Sequence, residues 1–494
     1  MKKIFKINQQ DNLVVALQDL KKGESIQTDG RTVMVNADIT AGHKMAVQNI
    51  PQGECIVKYG FPIGTAACDI AAGDWIHTHN TKSRLGDLLD YTYEPNFKPL
   101  APVKSKTFQG YKRKNGKVGI RNEVWIIPTV GCVNSIAKRI EDESQEFLTP
   151  ELDGIYSYSH PYGCSQLSQD KLNTERALSG LINHPNAAAV LVLGLGCENS
   201  NIDELKKVLG DYDSDRVKFL VCQEYEDEVE ASVSIVKELC NYAAQFKREP
   251  CSVEHLTVGL KCGGSDGFSG ITANPLVGAL SDLLIAQGGT AILTEVPEMF
   301  GAETILMNRC RDKAVFNKTV DLINNFKRYF KSYNQEIDSN PSPGNKAGGI
   351  TTLEDKSLGC VQKGGTAPVN DVLTYGQPVC EKGLNLLQGP GNDLVASTAL
   401  AISGAHLVLF TTGRGTPFGC PVPTVKISSN SELAHKKARW IDFDAGRLLT
   451  GEELSNLAEE FFDYVIDVAS GNKATKSEAF DKRDLAIFKD GVTL

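Results

Sequence analysis

Past residue 108 the chain repeats one pattern: an apolar run of five to eight residues, a polar turn, then a stretch of helical periodicity. Apolar runs cover 124–130, 188–195, 217–221, 256–261, 290–294 and 406–411, and helical stretches cover 135–147, 226–245, 276–287, 314–333, 392–402 and 452–465. Continuous apolar strands alternating with helices predict parallel, Rossmann-like sheets covered on both faces, an α/β architecture. Five of the strands run directly into polar, mostly glycine-containing loops: Gly131 to Asn134, Gly196 to Asn199, Cys262 to Gly267, Glu295 to Glu298 and Thr412 to Thr416. Open parallel sheets bind ligands outside the carboxyl ends of their strands. The five loops together therefore predict a polar ligand site on one sheet edge.

The first 93 residues read differently. An apolar residue, two spacers, Gly, an acid, any residue and Ile recur at Leu20 to Ile26, Ile50 to Ile56 and Ile70 to Ile76. Each copy is a turn in which Gly supplies a positive φ before a short strand, so residues 1–93 are expected to form a small all-β module. Residues 94–107 hold three prolines and few large apolar side chains, as an interdomain linker would. Two α/β domains are expected to follow, over 108–250 and 251–494. The Pro/Gly stretch at 340–349 reads equally as a linker or as an active-site loop.

A net charge of −9 and a pI near 5.5 argue against nucleic-acid or anionic-membrane partners, so an anionic substrate needs a local cationic site. No apolar run approaches the ~20 residues that span a bilayer, and the N-terminus has no signal-peptide core, so a cytoplasmic location is expected. The 13 cysteines form no C-x-x-C pair, which argues against a structural zinc knuckle. Cys55, Cys68, Cys222, Cys240, Cys251 and Cys310 read as small core residues.

Among single residues, His77 and His79 carry the sharpest signal. Two histidines at i and i+2 on a strand share a face, which suits two imidazoles on one divalent ion, or a ligand beside a general base. His43, followed by Lys44, is a second candidate in the same module. His160, in the loop His160 to Gln166, is either a base or a satisfied buried imidazole. The Cys262 to Gly267 loop, with Ser265 and Asp266, could cradle an anion on backbone N–H groups, although it lacks the Gly-Lys-Ser/Thr of a nucleotide loop. Arg414 between glycines is the best carboxylate clamp, and Lys426 follows on a strand-like run. Asp442 and Asp444 either bind a cation or cap a turn.

These stretches carry a likeness. The chain resembles the altronate and galactarate dehydratase family through Tyr59 to Gly64, Ile76 to Asn80, Val118 to Asn122, Pro128 to Cys132, Tyr162 to Gln166, Gly194 to Glu198, Cys262 to Asp266, Glu295 to Gly301, Pro341 to Gly349 and Thr411 to Pro417, ten motifs in order along almost the whole chain. The resemblance implies that the β module is a SAF (β-clip) domain and that the family's second and C-terminal domains follow. It implies a hydro-lyase that converts D-altronate to 2-dehydro-3-deoxy-D-gluconate, with galactarate or a related sugar acid as the alternative. It also implies a divalent metal, Fe²⁺ or Mn²⁺, with Mg²⁺ a further candidate. On this reading His77 and His79 supply the metal ligand and the acid or base, with His43 nearby and His160 as a reserve acid. Arg414, Lys426, Ser265 and Asp266 would hold the substrate, Cys420 is given no role, and the chain is expected to form a homo-oligomer, a dimer. An iron–sulfur cluster on Cys132, Cys164 and Cys197 is the disfavoured cofactor, and a sugar-acid binding protein without turnover is the alternative of another class.

Overall fold

In a computed structural model, residues 2–86 and 88–491 are described. The first module is built from short antiparallel strands in a four-stranded sheet, a three-stranded sheet and a hairpin of Ser25–Thr28 with Arg31–Met34. Its repeated turn occurs four times, because Ile39 to Met45 is a further copy that carries His43 where the others carry an acid. Gly23, Gly42, Gly53 and Gly73 all have φ between 82° and 93°, and in each turn the residue after the glycine donates its N–H back three residues. That is the type II turn, which requires a positive φ at its third residue. The copies pair across the module: Leu20 exchanges both backbone hydrogen bonds with Ile39, and Ile50 with Ile70.

The remainder is α/β, with two parallel sheets, as the periodicity predicts, and a small antiparallel sheet of Val118–Gly119, Thr107–Lys112 and Arg248–Ser252. A four-stranded parallel sheet places Glu123–Pro128 between Gly154–Ser157 and Ala187–Gly194, with Val217–Val221 at the far edge. Ala187–Gly194 is buried at all eight positions, which is why it reads as an unbroken apolar run. A second sheet of seven strands, all parallel, runs Val369–Leu373, Gly383–Leu387, Thr290–Leu293, Thr257–Cys262, Leu407–Thr412, Thr424–Ser428 and Phe443–Asp444. The expected single ligand edge therefore becomes two. The Gly131 and Gly196 loops end strands of the smaller sheet, whereas the Cys262, Glu295 and Thr412 loops end strands of the larger one.

The linker stretch lies against the body: Asn96 N donates to the Asn308 carbonyl, and the neighbouring Tyr93 hydroxyl donates to the Cys310 carbonyl at 2.6 Å. One hydrophobic core runs from Leu13, Ile56 and Ile76 of the module into Leu260, Leu276 and Leu293 of the larger α/β unit. A second core joins Trp125 and Val190 of the smaller sheet to Phe410 and Ile402 of the larger unit. No helix among the described residues is long and apolar enough to cross a membrane.

Candidate active site

The central strand Thr257–Cys262 is buried at all six residues and ends on Cys262. Its neighbour Thr290–Leu293 leads to Glu295, a non-glycine residue at φ 70°. That conformation is costly for a residue with a Cβ. It is held by both carboxylate oxygens of Glu295, one on the Lys261 ammonium and the other on Cys262 N at 2.9 Å. The turn that follows, Val296–Met299, points Glu298 back over Cys262. From the opposite side the helix Leu353–Cys360, buried at all eight residues, delivers Cys360 and Lys356.

Three potential ligand atoms meet there. Glu298 Oε2 lies 2.7 Å from Cys262 Sγ and 3.1 Å from Cys360 Sγ, and the two sulfurs are 3.5 Å apart. All three lie within 4.8 Å of one another and all three residues are buried. Lys356 Nζ pairs with the other Glu298 oxygen at 2.7 Å, and Lys261 bridges Glu295 and Asp393. Lys363 Nζ sits 3.9 Å from Glu295.

The hydrogen bond between the two sulfurs lowers the Cys262 thiol to about 6, against the burial that would raise it, and the same contact together with burial pushes the Cys360 thiol up. Burial alone would raise the Glu298 carboxyl, but the ammoniums of Lys356, Lys261 and Lys363 hold it at about 2. A metal ion would bind Cys262 and Cys360 as thiolates beside the Glu298 carboxylate, with the ammoniums of Lys356, Lys261 and Lys363 offsetting part of that negative charge. Two thiolates and a carboxylate suit a borderline ion such as Fe²⁺ better than Mg²⁺, which prefers oxygen ligands.

The triad opens on a cavity of about 440 Å³ lined by Asn340, Ser342, Asn345, Lys356, Asn392 and Asp393. Three of these belong to the Pro/Gly stretch, which lines the cavity and carries the short helix Pro343–Ala347. Its Asn345 amide donates to the Ser265 carbonyl at 2.8 Å, and Asn340 Oδ1 accepts from Lys356 at 3.1 Å. The same stretch receives the β module. His43 Nε2 lies 3.3 Å from the Ala347 carbonyl, and Lys44 Nζ donates to the Gly349 carbonyl at 2.5 Å. Lys44 and Lys58, both buried, clasp the two oxygens of Asp355 at 2.8 and 2.9 Å, and these ammoniums hold that carboxyl well below the usual range despite its burial. The helix Leu353–Cys360 thus touches the module through Asp355 and the triad through Lys356 and Cys360.

The histidines expected to bind the metal are placed differently. The strand ends at Ile76 and residues 77–80 form a turn, so the alternation that would align His77 with His79 is lost. His77 is buried and His79 exposed, and among the described residues no group of three potential ligands includes either. His77 retains a buried Nδ1 without a hydrogen-bond partner, and burial followed by the charge of Lys44 lowers it to about 4. His43 has both ring nitrogens engaged, Nδ1 accepting from Trp75 at 3.1 Å. His160 is likewise spent: Nδ1 accepts from Tyr162 N, and Nε2 faces the Pro128 carbonyl at 2.8 Å. It is a satisfied core imidazole in the smaller sheet.

Of the expected substrate ligands, Ser265 comes closest, its Oγ 3.5 Å from Cys262 Sγ. Asp266 is consumed in fixing its own loop, accepting from Ser269, Ser429 and Asn430. Lys426 is buried, donates to the Phe418 carbonyl at 2.7 Å and lies outside the lining of the cavity beside the triad. Arg414 is exposed on a larger cleft of about 730 Å³ between the module and the body. Asp444 caps Gly446 N and Asp442 accepts from Lys426 N and Lys476 N, both structural duties. Sequence reasoning placed Cys262 and Glu298 in strand-end loops but gave neither a role. Cys360 was missed because its helix, Leu-Glu-Asp-Lys-Ser-Leu-Gly-Cys, shows no apolar stripe.

Three family models match the chain in series. They are the altronate/galactarate dehydratase SAF domain over residues 2–84, the D-galactarate dehydratase/altronate hydrolase second domain over 110–244, and the D-galactarate/altronate dehydratase C-terminal domain over 253–493. The chain is 54% identical to altronate dehydratase of Escherichia coli (strain K12) over 493 residues, 99% of each protein. It is 54% identical to altronate dehydratase of Bacillus subtilis (strain 168) over 503 residues, all of both. Galactarate dehydratase (L-threo-forming) of Escherichia coli (strain K12) is 33% identical over 507 residues, 98% of this chain and 96% of the relative.

Proposed function

This chain belongs to the altronate and galactarate dehydratase family, and from that premise we propose that it is a hydro-lyase that removes water from D-altronate to give 2-dehydro-3-deoxy-D-gluconate. The single observation that carries the placement of the reaction is the buried Cys262–Glu298–Cys360 triad, of which Cys262 and Glu298 line the cavity. The substrate class is supported by 54% identity to two altronate dehydratases, against 33% to a galactarate dehydratase.

The reaction takes the proton from the carbon beside a carboxylate and expels the hydroxyl one carbon further on. Negative charge grows on the carboxylate as the proton leaves, and fixed positive charge must meet it there. A divalent ion held by Cys262, Glu298 and Cys360 supplies Lewis-acid stabilisation of that charge. Lys356, locked between Glu298 and Asn340, is the cation of the cavity wall and orients the substrate carboxylate. The amide of Asn392 and the hydroxyl of Ser342 line the same wall and suit a polyhydroxy chain, with Asn345 holding Ser342 in place. Asp393 Oδ1, 3.0 Å from Lys261 and partly exposed, is the carboxylate placed to carry a proton at the cavity mouth. Of the module's histidines, His77 alone keeps a buried free ring nitrogen, and it is the one we assign a proton-carrying role. Arg414 is assigned to attracting the anion through the larger cleft.

The test is turnover. With Fe²⁺ or Mn²⁺ present, the protein should convert altronate to a 2-keto-3-deoxy acid and process galactarate at least ~100-fold less efficiently, a discrimination within reach of a site that pairs substrate hydroxyls. Binding of altronate without any keto-acid product would contradict the enzyme reading. Equal rates on both acids would contradict the substrate assignment.

A further inference from the structure

Three adjacent strands of the smaller sheet each lead into a loop with the same dipeptide. Glu123–Pro128 leads to Gly131-Cys132, Gly154–Ser157 to Gly163-Cys164, and Ala187–Gly194 to Gly196-Cys197. Backbone bonds interlock these loops. Gly131 N donates to the Tyr162 carbonyl at 2.9 Å, Ser200 N to the Gly163 carbonyl at 3.1 Å, and Ser165 N to Asn199 Oδ1 at 2.8 Å. The approach is close enough to need glycine: at Gly163, φ 100°, an added Cβ would lie 2.0 Å from the Thr129 carbonyl oxygen. The Cys197 turn is fixed by Glu198, whose buried carboxylate accepts from Thr129 Oγ1, Leu195 N and Gly196 N.

All three thiols on this edge are exposed, whereas Cys222, Cys240, Cys251, Cys310 and Cys420 are buried as core residues. Cys68 and Cys380 are exposed too, so what sets these three apart is their common place at the carboxyl edge of one sheet. A single thiolate-bound ion does not fit their spacing. Metal–sulfur bonds of about 2.3 Å put thiolates on one ion within roughly 4 Å of each other. These three sulfurs do not all lie within 4.8 Å of one another. An iron–sulfur cluster spreads its cysteines over separate irons and does not require the sulfurs to come that close.

We propose that Cys132, Cys164 and Cys197 are the protein ligands of a [4Fe–4S] cluster at the carboxyl edge of the smaller sheet, with one iron left without a cysteine and open to an oxygen ligand. This reverses the sequence expectation that a cluster is disfavoured, and it concerns a site distinct from the Cys262 triad. Loading is ligand exchange: each cysteine sulfur forms one Fe–S bond as one external thiolate leaves, the cysteine proton passes to that thiolate, and no iron changes oxidation state.

The experiment offers the anaerobic full-length protein a synthetic thiolate-ligated [4Fe–4S] complex, removes the excess, and measures iron, acid-labile sulfide and visible absorption. About four irons and four sulfides per chain, with the brown colour of a cluster, are expected. Cys132→Ala, Cys164→Ala and Cys197→Ala should each lose them, and Cys132→Ser and its counterparts control for ligation by serine. Cys68→Ala and Cys380→Ala, exposed cysteines elsewhere, should load fully, as should Cys262→Ser. Circular dichroism and melting of the surface variants should match the parent. A parent that takes up no cluster overturns the proposal. So does full loading in the three alanine variants, or loss of the cluster in Cys262→Ser.

Discussion

Glu298 is the residue on which most of the site's interactions converge. One oxygen faces both sulfurs and the other holds Lys356, so the amide in Glu298→Gln removes an anionic ligand and releases an ammonium at once. Turnover should fall at least ~100-fold, as expected for a lost metal ligand, and the melting temperature should fall as well because the buried Lys356 ammonium loses its carboxylate. Cys262→Ser and Cys360→Ser should behave alike, whereas His160→Gln, whose parent imidazole only binds backbone, should keep turnover near the parent's. Asp355→Asn leaves Lys44 and Lys58 buried without an anion and should cost about 3–5 kcal/mol in urea unfolding. At this scale the sequence was informative about loops and misleading about roles. His77 and His79 form a ligand pair only if the strand continues past Ile76. Instead Asn80 Oδ1 accepts from His77 N and closes a turn. Cys262 and Glu298 gave no comparable signal, because their meeting depends on the order of strands in a seven-stranded sheet.

Among elements, the helix Leu353–Cys360 decides how the module communicates with the site. It is short and polar, so burial by its neighbours, not its own periodicity, makes it a helix. Module and body approach at glycines: a Cβ on Gly267 would stand 1.9 Å from the Gly42 carbonyl oxygen, and Gly42 lies within the fourth copy of the repeated turn. Gly267→Ala should therefore push the module off the Pro/Gly stretch. We expect a stability loss of about 1–3 kcal/mol and a larger loss of turnover, read by limited proteolysis between the module and the body beside the rate. Unchanged proteolysis with normal turnover would show that the contact is dispensable. The strands and most long helices were legible as periodicity. The fourth turn copy was not, because His43 replaces the acid that defined the pattern.

At the scale of the molecule, cores that cross between the module and the larger unit, and between the two sheets, make the parts interdependent. Its acid sensitivity has a named contributor. His406, fully buried, is lowered to about 4 from 6.5, chiefly by burial. The unfolded chain then binds the proton first, so this contribution is complete above pH 6.5 and is lost as pH falls toward 4, by up to about 3 kcal/mol. Asp442, raised to about 6 by burial, acts in the opposite sense, its contribution fading as pH rises from 3.8 to 6. Urea midpoints at pH 7 and pH 5 should differ less in His406→Asn than in the parent. The two-sheet architecture was visible in the sequence, but the division of the strand-end loops between two edges was not, since periodicity does not reveal which strands share a sheet.

The central claim is that Cys262, Glu298 and Cys360 hold the ion on which altronate dehydration depends. Anaerobic titration of the metal-free protein with Fe²⁺, read at each step by bound iron and by keto-acid formation from altronate, tests it most directly. Activity should rise with the first equivalent bound, and Glu298→Gln should lose both that binding and the turnover while remaining folded. Full Fe²⁺-dependent turnover in Glu298→Gln or in the Cys262→Ser, Cys360→Ser double variant would contradict the account.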